Sequence, residues 1–177
     1  MKILPSVILF SAIFSTAVIS GCNSTTIQKT KMDAVKSANA QLIYSSQYCQ
    51  TENLKPNFRY LTDNNWQKFK SASFSLQESP KEESQPVPTE STLLLISMGS
   101  QPNTGYNLGL SKASIQIFNS HSQLAIDWNT PQPGHTYGQA ITSPCLIIGI
   151  PKAISKNYPL KIINSVTNQE LESLNRF

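Results

Sequence analysis

Apolar and polar residues alternate in short stretches along the second half of the chain. Leu108 and Leu110, and further on Ile115 and Ile117, stand two positions apart with polar or small residues beside them. A period of two is typical of half-buried antiparallel strands. The pattern predicts strands over residues 41–44, 57–61, 92–98, 106–112, 113–118, 123–128, 137–141, 145–150 and 160–163.

Turn-forming residues separate these stretches at short intervals. Gly, Pro and Asn recur between them, and residues 119–122 (N-S-H-S) make a predicted hairpin turn. Short strands in close succession favour antiparallel pairing over parallel units joined by crossover helices. The expected fold is all-β, mainly an antiparallel sandwich or small barrel.

One short helix is predicted towards the N-terminal side of the domain, over residues 62–70. Thr62 is a suitable N-cap, and Trp66 and Phe69 stand three positions apart on one helical face. We interpret both rings as core anchors rather than as ligand contacts. Near the end of the chain, residues 168–174 are expected to form one or two helical turns.

The first residues have the pattern of an export signal. Met1 and Lys2 give a short positive start, and residues 3–18 are almost entirely apolar. The segment ends in Ile19-Ser-Gly-Cys22, the order of residues that lipoprotein processing requires, with the thiol receiving the lipid. A transmembrane anchor is the alternative, but residues 3–19 fall short of the ~20 apolar residues that span a bilayer.

These features predict the organisation of the chain. A lipoprotein signal peptide occupies residues 1–21, a flexible tether 22–38, and a single β-rich domain 39–177. The mature protein would be anchored by covalent lipid, including palmitate, on Cys22. Asn23 follows the acylated residue, where Asp would favour inner-membrane retention. The expected location is therefore the bacterial cell envelope, on the outer membrane.

Charged residues are few, and one short segment is rich in them. Residues 79–90 are charged, rich in proline and nearly free of apolar side chains, so we expect a mobile surface loop there. The net charge is +4, and the cations are spread along the chain. Nucleic-acid binding would need a basic stripe with interleaved aromatics. Nucleic acid is therefore not an expected partner, whereas an anionic membrane surface accounts for the mild excess.

The chain has three cysteines, and lipidation of Cys22 leaves Cys49 and Cys145. A single remaining pair in an exported domain suggests a disulfide, with two buried free thiols as the alternative. Neither cysteine has a second ligand at C-x-x-C spacing, and His121 and His135 lie far apart in sequence. No metal site is predicted.

Patterns of catalytic residues are missing. Asp127 is the one acidic residue between Ser91 and Val166, so a pair of carboxylates would have to come from other segments. The sequence has no G-x-S-x-G elbow, P-loop, dinucleotide fingerprint or calcium loop. A dyad of His121 with Asp127 is less favoured than two surface residues. We therefore predict a binding or structural protein, not an enzyme, without a cofactor beyond the covalent lipid.

Two loops resemble those of the protease complex subunit PrcB family. Residues 93–99 (LLLISMG), followed by Pro102-Asn-Thr-Gly-Tyr106, are similar to that family's strand and P-T-G-G-Y loop, although Thr104 replaces a usual glycine. Residues 139–144 (QAITSP), followed by the apolar residues 145–150, are similar to the loop before its closing strand. The resemblance implies a β domain that associates with a protein partner, a secreted or surface protease, and helps it assemble or remain stable.

The same loop is similar to the N-P-T-T-G-Y wedge of chagasin-type cysteine protease inhibitors, so inhibition is an alternative. The R-P-W type loop that such inhibitors use as a second contact is missing. A structural envelope lipoprotein without a protease partner is a third hypothesis. The candidate partner-binding residues are Pro102, Asn103, Thr104, Gly105, Tyr106, Thr142, Ser143 and Pro144.

Two interpretations of the 102–106 loop stay open. Pro102 fixes its own φ, and Asn103 and Thr104 can bond back to the loop backbone, so the loop is expected to be stiff. Stiffness lowers the entropy lost on binding, and Tyr106 is of the type enriched at interface hot spots. The same residues would make a good turn whatever the function, with Tyr106 buried.

Overall fold

A computed structural model describes residues 34–49, 54–74 and 86–177. Cys22 and the predicted signal peptide, residues 22–33 of the tether and residues 79–85 of the predicted loop lie outside these ranges. The elements are β1 (Lys36–Asn39), β2 (Gln41–Ser46), β3 (Asn57–Leu61), α1 (Asp63–Phe74), β4 (Ser91–Ser97), β5 (Asn107–Ile117), β6 (Ser122–Asn129), β7 (Cys145–Pro151), α2 (Lys152–Asn157), β8 (Leu160–Asn164) and β9 (Glu170–Leu174).

The strands form two sheets. One has five strands in the order β1-β5-β6-β8-β9, and the other has four in the order β2-β7-β4-β3. Neighbouring strands are antiparallel except β6 and β8, which run parallel because the chain passes through β7 of the other sheet between them. Both sheets are open at their edges. The predicted all-β sandwich is confirmed, and the barrel alternative is not what forms.

The central strands of the four-stranded sheet, β4 and β7, carry continuous apolar runs because both of their faces are covered. Leu94 and Ile148 lie in the core between the sheets, which also receives Leu124 of the facing sheet. Leu95 and Ile147 point to the other face, into a second cluster. Strands buried on both faces lack the alternation of half-exposed strands.

The second cluster lies under α1, which covers the outer face of the four-stranded sheet. Trp66 and Phe69 are buried there, as predicted, with their rings stacked at 5.9 Å. Tyr44 of β2 meets the Phe69 ring edge-on at 5.6 Å. Neither α1 nor α2, the helices of the described ranges, is long and apolar enough to cross a membrane.

Two sequence-based predictions of secondary structure are wrong. Residues 137–141 form no strand, because the exposed segment 138–141 has no neighbouring strand and Gly138 bonds to a turn instead. The predicted C-terminal helical turns are the strand β9, which pairs with β8. Leu171 and Leu174 keep the spacing of a helix, yet both pack on the core from an edge strand.

Other elements were misjudged in extent or were not predicted. Residues 106–112 and 113–118 were expected as two strands, but 107–117 form the single strand β5, with an irregularity between Leu110 and Ile115. The strand β1 was not predicted, and it takes in the last residues of the expected tether. The helix α2, of six residues, was also not predicted.

The sandwich has two distinct ends. The loop end is made by segments 47–49, 98–107 and 129–145, and it is bordered by the segment 54–56 before β3 and by the β8–β9 turn at 165–169. The entry end is where the described chain begins, since the Val35 amide donates to the Ile117 carbonyl at 2.9 Å, beside the hairpin at 118–122. The strand β6 runs from the entry end to the loop end over eight residues, so roughly 25 Å separates them.

Cys49 and Cys145 form a disulfide across a sequence separation of 96. The bond joins the segment after β2 to the first residue of β7, and both cysteines lie in the cluster under α1. The disulfide therefore links two segments of the loop end through the buried cluster beneath it.

Replacing both cysteines, as Cys49→Ala with Cys145→Ala, is expected to lower the free energy of unfolding by about 4 to 5 kcal/mol. The reason is that the open chain regains the entropy of a loop of nearly a hundred residues. Urea denaturation measures the change, with the exposed Asn119→Ala as control. A loss no larger than that of the control would contradict this prediction.

Tyr60 of β3 has an unusual environment. Its hydroxyl is buried and has no hydrogen-bond partner among the described residues, and its ring meets the Phe177 ring edge-on at 5.2 Å. Burial raises the pKa of Tyr60 to about 12. Between pH 10 and about 12, the Tyr60 hydroxyl therefore stays protonated in the folded protein, whereas in the unfolded chain, with a pKa near 10.0, it is ionised.

Tyr60→Phe is expected to be as stable as the native chain at neutral pH, because it removes an unsatisfied buried hydroxyl. The native chain should lose stability as the pH rises from about 10 towards 12, and the variant should lose about 1–2 kcal/mol less, after allowance for solvent screening. Urea denaturation at several alkaline pH values measures the difference. Tyr48→Phe, in an exposed ring, is the control, and identical pH dependence of Tyr60→Phe and the native chain would refute the prediction.

Candidate functional site: the loop end

The segment 102–106 is a tight turn held by its own side chain. The Gly105 amide donates to the Asn103 Oδ1 at 2.9 Å, a local bond of the kind that Asn makes in turns. Pro102 and Thr104 are exposed at the tip, and Asn103 is partly exposed. The tip thus has a defined shape and faces solvent.

A second segment binds the tip through a reciprocal pair of hydrogen bonds. The Thr104 amide donates to the Gly138 carbonyl at 3.0 Å, and the Gly138 amide donates to the Thr104 hydroxyl at 3.0 Å. The Tyr137 ring lies against Gly105, and its hydroxyl accepts from the Gln132 amide at 3.0 Å. These contacts fix the turn to the long connection between β6 and β7.

The base of the turn is joined to the segment that leads into β7. Gln101 and Thr142 exchange two backbone hydrogen bonds of 2.7 and 2.9 Å, and the Thr142 hydroxyl donates to the Asn103 carbonyl at 3.1 Å. Thr142 is 1% exposed, and Pro144 is also buried. The geometry gives these two candidate residues a positioning role, because their side chains face inward.

A third segment completes the loop end. The Ser143 amide donates to the Gln47 carbonyl at 2.9 Å, and the Cys49 amide donates to the Ser143 carbonyl at 3.0 Å. The Gln47 side chain reaches across to the other sheet and donates to the Asn107 Oδ1 at 2.9 Å. Ser143 is half-buried, with both of its backbone groups engaged. The disulfide secures the same junction.

Tyr106 follows the tip and is half-buried. Its ring packs against the core between the sheets. This placement favours the interpretation of Tyr106 as the residue that ends the turn and anchors β5. Of the predicted binding residues, Pro102 and Thr104 are therefore the ones most open to a partner.

Close approach of neighbouring chain explains two of the glycines. Gly99 has φ +72°, and a Cβ atom there would lie 2.6 Å from the Leu54 carbonyl oxygen. A Cβ atom on Gly105 would lie 2.7 Å from the Tyr137 ring. Both distances are too short for any residue with a side chain unless the neighbour moves.

Sequence reasoning missed the residues that hold the turn from outside it. Tyr137 and Gly138 belong to the segment wrongly predicted as a strand, and Gln101 has no local signal. The roles of all three depend on which loops the topology brings together. It also missed two exposed apolar side chains, Tyr48 and Ile141, on the segments beside the turn. Each stands among mainly polar or small residues, so no apolar pattern distinguishes it.

The loop end is almost free of charge. Residues 40–49, 98–111 and 128–151 contain no Asp, Glu, Lys or Arg. In the described part of the chain, no group of three His, Cys, Asp or Glu side chains is placed to hold a metal ion. The surface can engage another molecule through hydrogen bonds and apolar contact.

The dyad of His121 and Asp127 is not assembled. His121 lies at the entry end, where its ring stacks on Phe118 at 4.7 Å. Burial lowers the pKa of His121, and the charge of Lys161 adds to this effect. Asp127 lies six positions further along, towards the loop end, where its carboxylate accepts a hydrogen bond from the Ser165 hydroxyl.

The fold defines a two-sheet β domain with a stiff, uncharged loop end. Residues 92–151 match the PrcB C-terminal family model, which confirms the resemblance seen in the sequence motifs. This range runs from β4 to the end of β7 and includes the turn and the segment that holds it. No curated protein and no solved structure matches the chain significantly.

Gly105→Ala is expected to lower the free energy of unfolding by about 1–3 kcal/mol, because the new methyl group forces the Tyr137 ring away and breaks its bond to the Gln132 amide. Gly109→Ala is the matched control, since its nearest contact would be an ordinary 3.4 Å. Urea denaturation measures both.

The same substitution in a Tyr137→Ala background tests the cause. Removal of the ring should relieve most of the cost of Gly105→Ala, so that the two changes couple in a double-mutant cycle. Equal costs in the two backgrounds would show that Tyr137 is not the obstacle.

Proposed function

We propose that this protein is a non-catalytic, lipid-anchored envelope subunit that binds a protein partner belonging to a protease complex. The match of residues 92–151 to the PrcB C-terminal family carries this proposal. The family model indicates a subunit associated with a protease complex. The role of the bound subunit is to help the protease assemble or remain stable.

The architecture of the loop end supports binding through the tip of the turn. Pro102 and Thr104 project from a backbone that is already bonded to two other segments. A surface ordered before contact loses little conformational entropy when a partner docks. The tip is therefore suited to recognition by shape and hydrogen bonding, and not by charge.

Lipidation rests on the sequence alone. Ile19-Ser-Gly-Cys22 follows an apolar segment with a positive start, and the thiol of Cys22 would carry the lipid. Anchoring at the membrane concentrates the subunit where an exported protease operates. The outer membrane is the proposed location.

Chagasin-like inhibition is favoured by one observation, the stiff and exposed tip at Pro102 and Thr104. Insertion into an active-site cleft needs such a tip, whereas an assembly subunit binds elsewhere on the protease. The two functions therefore predict opposite effects on the activity of the bound enzyme.

Cys22→Ala in the full-length chain is expected to abolish lipidation, because the lipid acceptor is removed. Fractionation of cells followed by mass spectrometry of the N-terminal peptide measures both the location and the lipid. The neighbouring change Asn23→Ala should leave the protein lipidated. An unacylated N-terminal peptide in the native protein would overturn the anchor.

The partner is tested with the full-length lipoprotein, chemically cross-linked in its own cells and purified. We expect a protease among the specific adducts, with its activity undiminished by added lipoprotein. Papain serves as a probe for inhibition in a parallel assay. Tight inhibition of papain or of the captured protease would replace the assembly role with the inhibitor, and adducts without any protease would contradict both.

A further inference from the structure

We propose that the loop end docks an electrically neutral face of a protein partner, and that Tyr48 and Ile141 are its anchors. The inference rests on the proposed function. It extends the binding surface from the tip of the turn to the two segments bonded beside it.

Tyr48 and Ile141 are unusually open for side chains of their size. Tyr48 is 60% exposed and Ile141 is 74% exposed. In globular proteins, exposed tyrosine and large aliphatic side chains become informative when they gather at one place. Here both belong to the loop end, since Tyr48 is bridged to Ser143 and Ile141 lies two residues before it.

The backbone under both residues is fixed. Tyr48 forms a parallel bridge with Ser143, and its amide donates to the Ser46 hydroxyl at 3.1 Å. Ile141 precedes Thr142, which is bonded to Gln101 on both of its backbone groups. Anchors on an ordered backbone cost little entropy on docking, and tyrosine is prominent among interface hot spots.

The charge of the surface indicates the kind of partner. None of the three segments that form the loop end contains Asp, Glu, Lys or Arg. The charged residues that strand register places nearest its border are Lys55, before β3, Arg59, exposed on β3, and Asp127, which is bonded to Ser165. A strongly charged partner would lose hydration here without gaining an opposite charge, so a neutral face fits best.

A membrane is the other surface that accepts tyrosine and isoleucine, and the topology disfavours it. The described chain starts at the entry end, so a lipid on Cys22 would join the domain there, roughly 25 Å from the loop end. Anionic lipid surfaces attract Lys and Arg, which the segments of the loop end lack. The anchors therefore lie at the end of the domain opposite the first described residues.

The test uses the full-length protein in its own cells, with a benzophenone amino acid placed singly at Tyr48, Ile141, Thr104 or Asn119. Asn119 is exposed at the entry end and is the matched control. After illumination, mass spectrometry distinguishes protein adducts from phospholipid adducts. We expect protein adducts from Tyr48 and Ile141, with about tenfold less from Asn119, the size expected of a hot-spot contact.

A second arm keeps the probe at Thr104 and introduces a charge nearby. Ile141→Asp should lower the yield of the Thr104 adduct about tenfold, because the carboxylate must be buried against a neutral face. Asn119→Asp should leave the yield unchanged. Unfolding curves establish that both variants are folded, as expected for exposed positions.

Each outcome bears on a different claim. Phospholipid adducts from Tyr48 and Ile141 would replace the protein partner with a membrane and overturn the inference. Thr104 adducts that resist Ile141→Asp would also overturn it, while leaving the proposed function in place. No protein adduct from any position at the loop end, Thr104 included, would refute the proposed function and this inference together.

Discussion

The pairing of β4 with β7 is the interaction on which the rest of the structure depends. Both strands are apolar on both faces. Their side chains therefore contribute to both clusters of buried residues, one on each side of the sheet. Their register sets Ser97 opposite Cys145. The chain that leaves β4 and the chain that enters β7 must therefore run side by side, which brings the turn and the segment that holds it together.

A slip of one residue in this register would do more damage at the loop end than in the core. Every side chain of β4 would move to the other face, yet both faces are apolar and would accept many of the exchanged residues. The bonds between Gln101 and Thr142, and between Met98 and Pro144, would be lost outright. The disulfide at Cys145 fixes a different pairing, since it ties the start of β7 to the segment after β2.

The sandwich could be predicted from the sequence because most of its strands have a recognisable local pattern, either alternation or a continuous apolar run. The errors fall where the local pattern is ambiguous. Residues 137–141 have the aromatic and branched composition of a strand, but Gly138 bonds to the turn at Thr104 instead of to a strand. Residues 168–174 have apolar side chains at helical spacing, but the open edge of β8 takes them as β9. In both cases the arrangement of neighbours, which is not local information, decided the outcome.

The candidate site was predicted in part, for the same reason. Proline, asparagine and glycine identified the turn, since their effects on the backbone are local. Which of its residues face a partner depended on contacts from distant segments. The Thr142 hydroxyl donates to the Asn103 carbonyl, and the Tyr106 ring packs against the core between the sheets, so neither side chain is fully open to a partner.

The lack of charge at the loop end is related to the hydrogen bonds of the backbone beneath it. Loops usually remain soluble by carrying charged side chains, whereas here the polar backbone groups are satisfied by one another and by hydroxyl and amide side chains. Among the described residues of this network, the buried Gln47 Oε1 is without a partner. The satisfied groups lower the cost of covering the surface. Tyr48 and Ile141 stay exposed on this backbone. Exposed apolar side chains on a backbone that cannot fold inward are the arrangement expected of a surface kept ready for a partner.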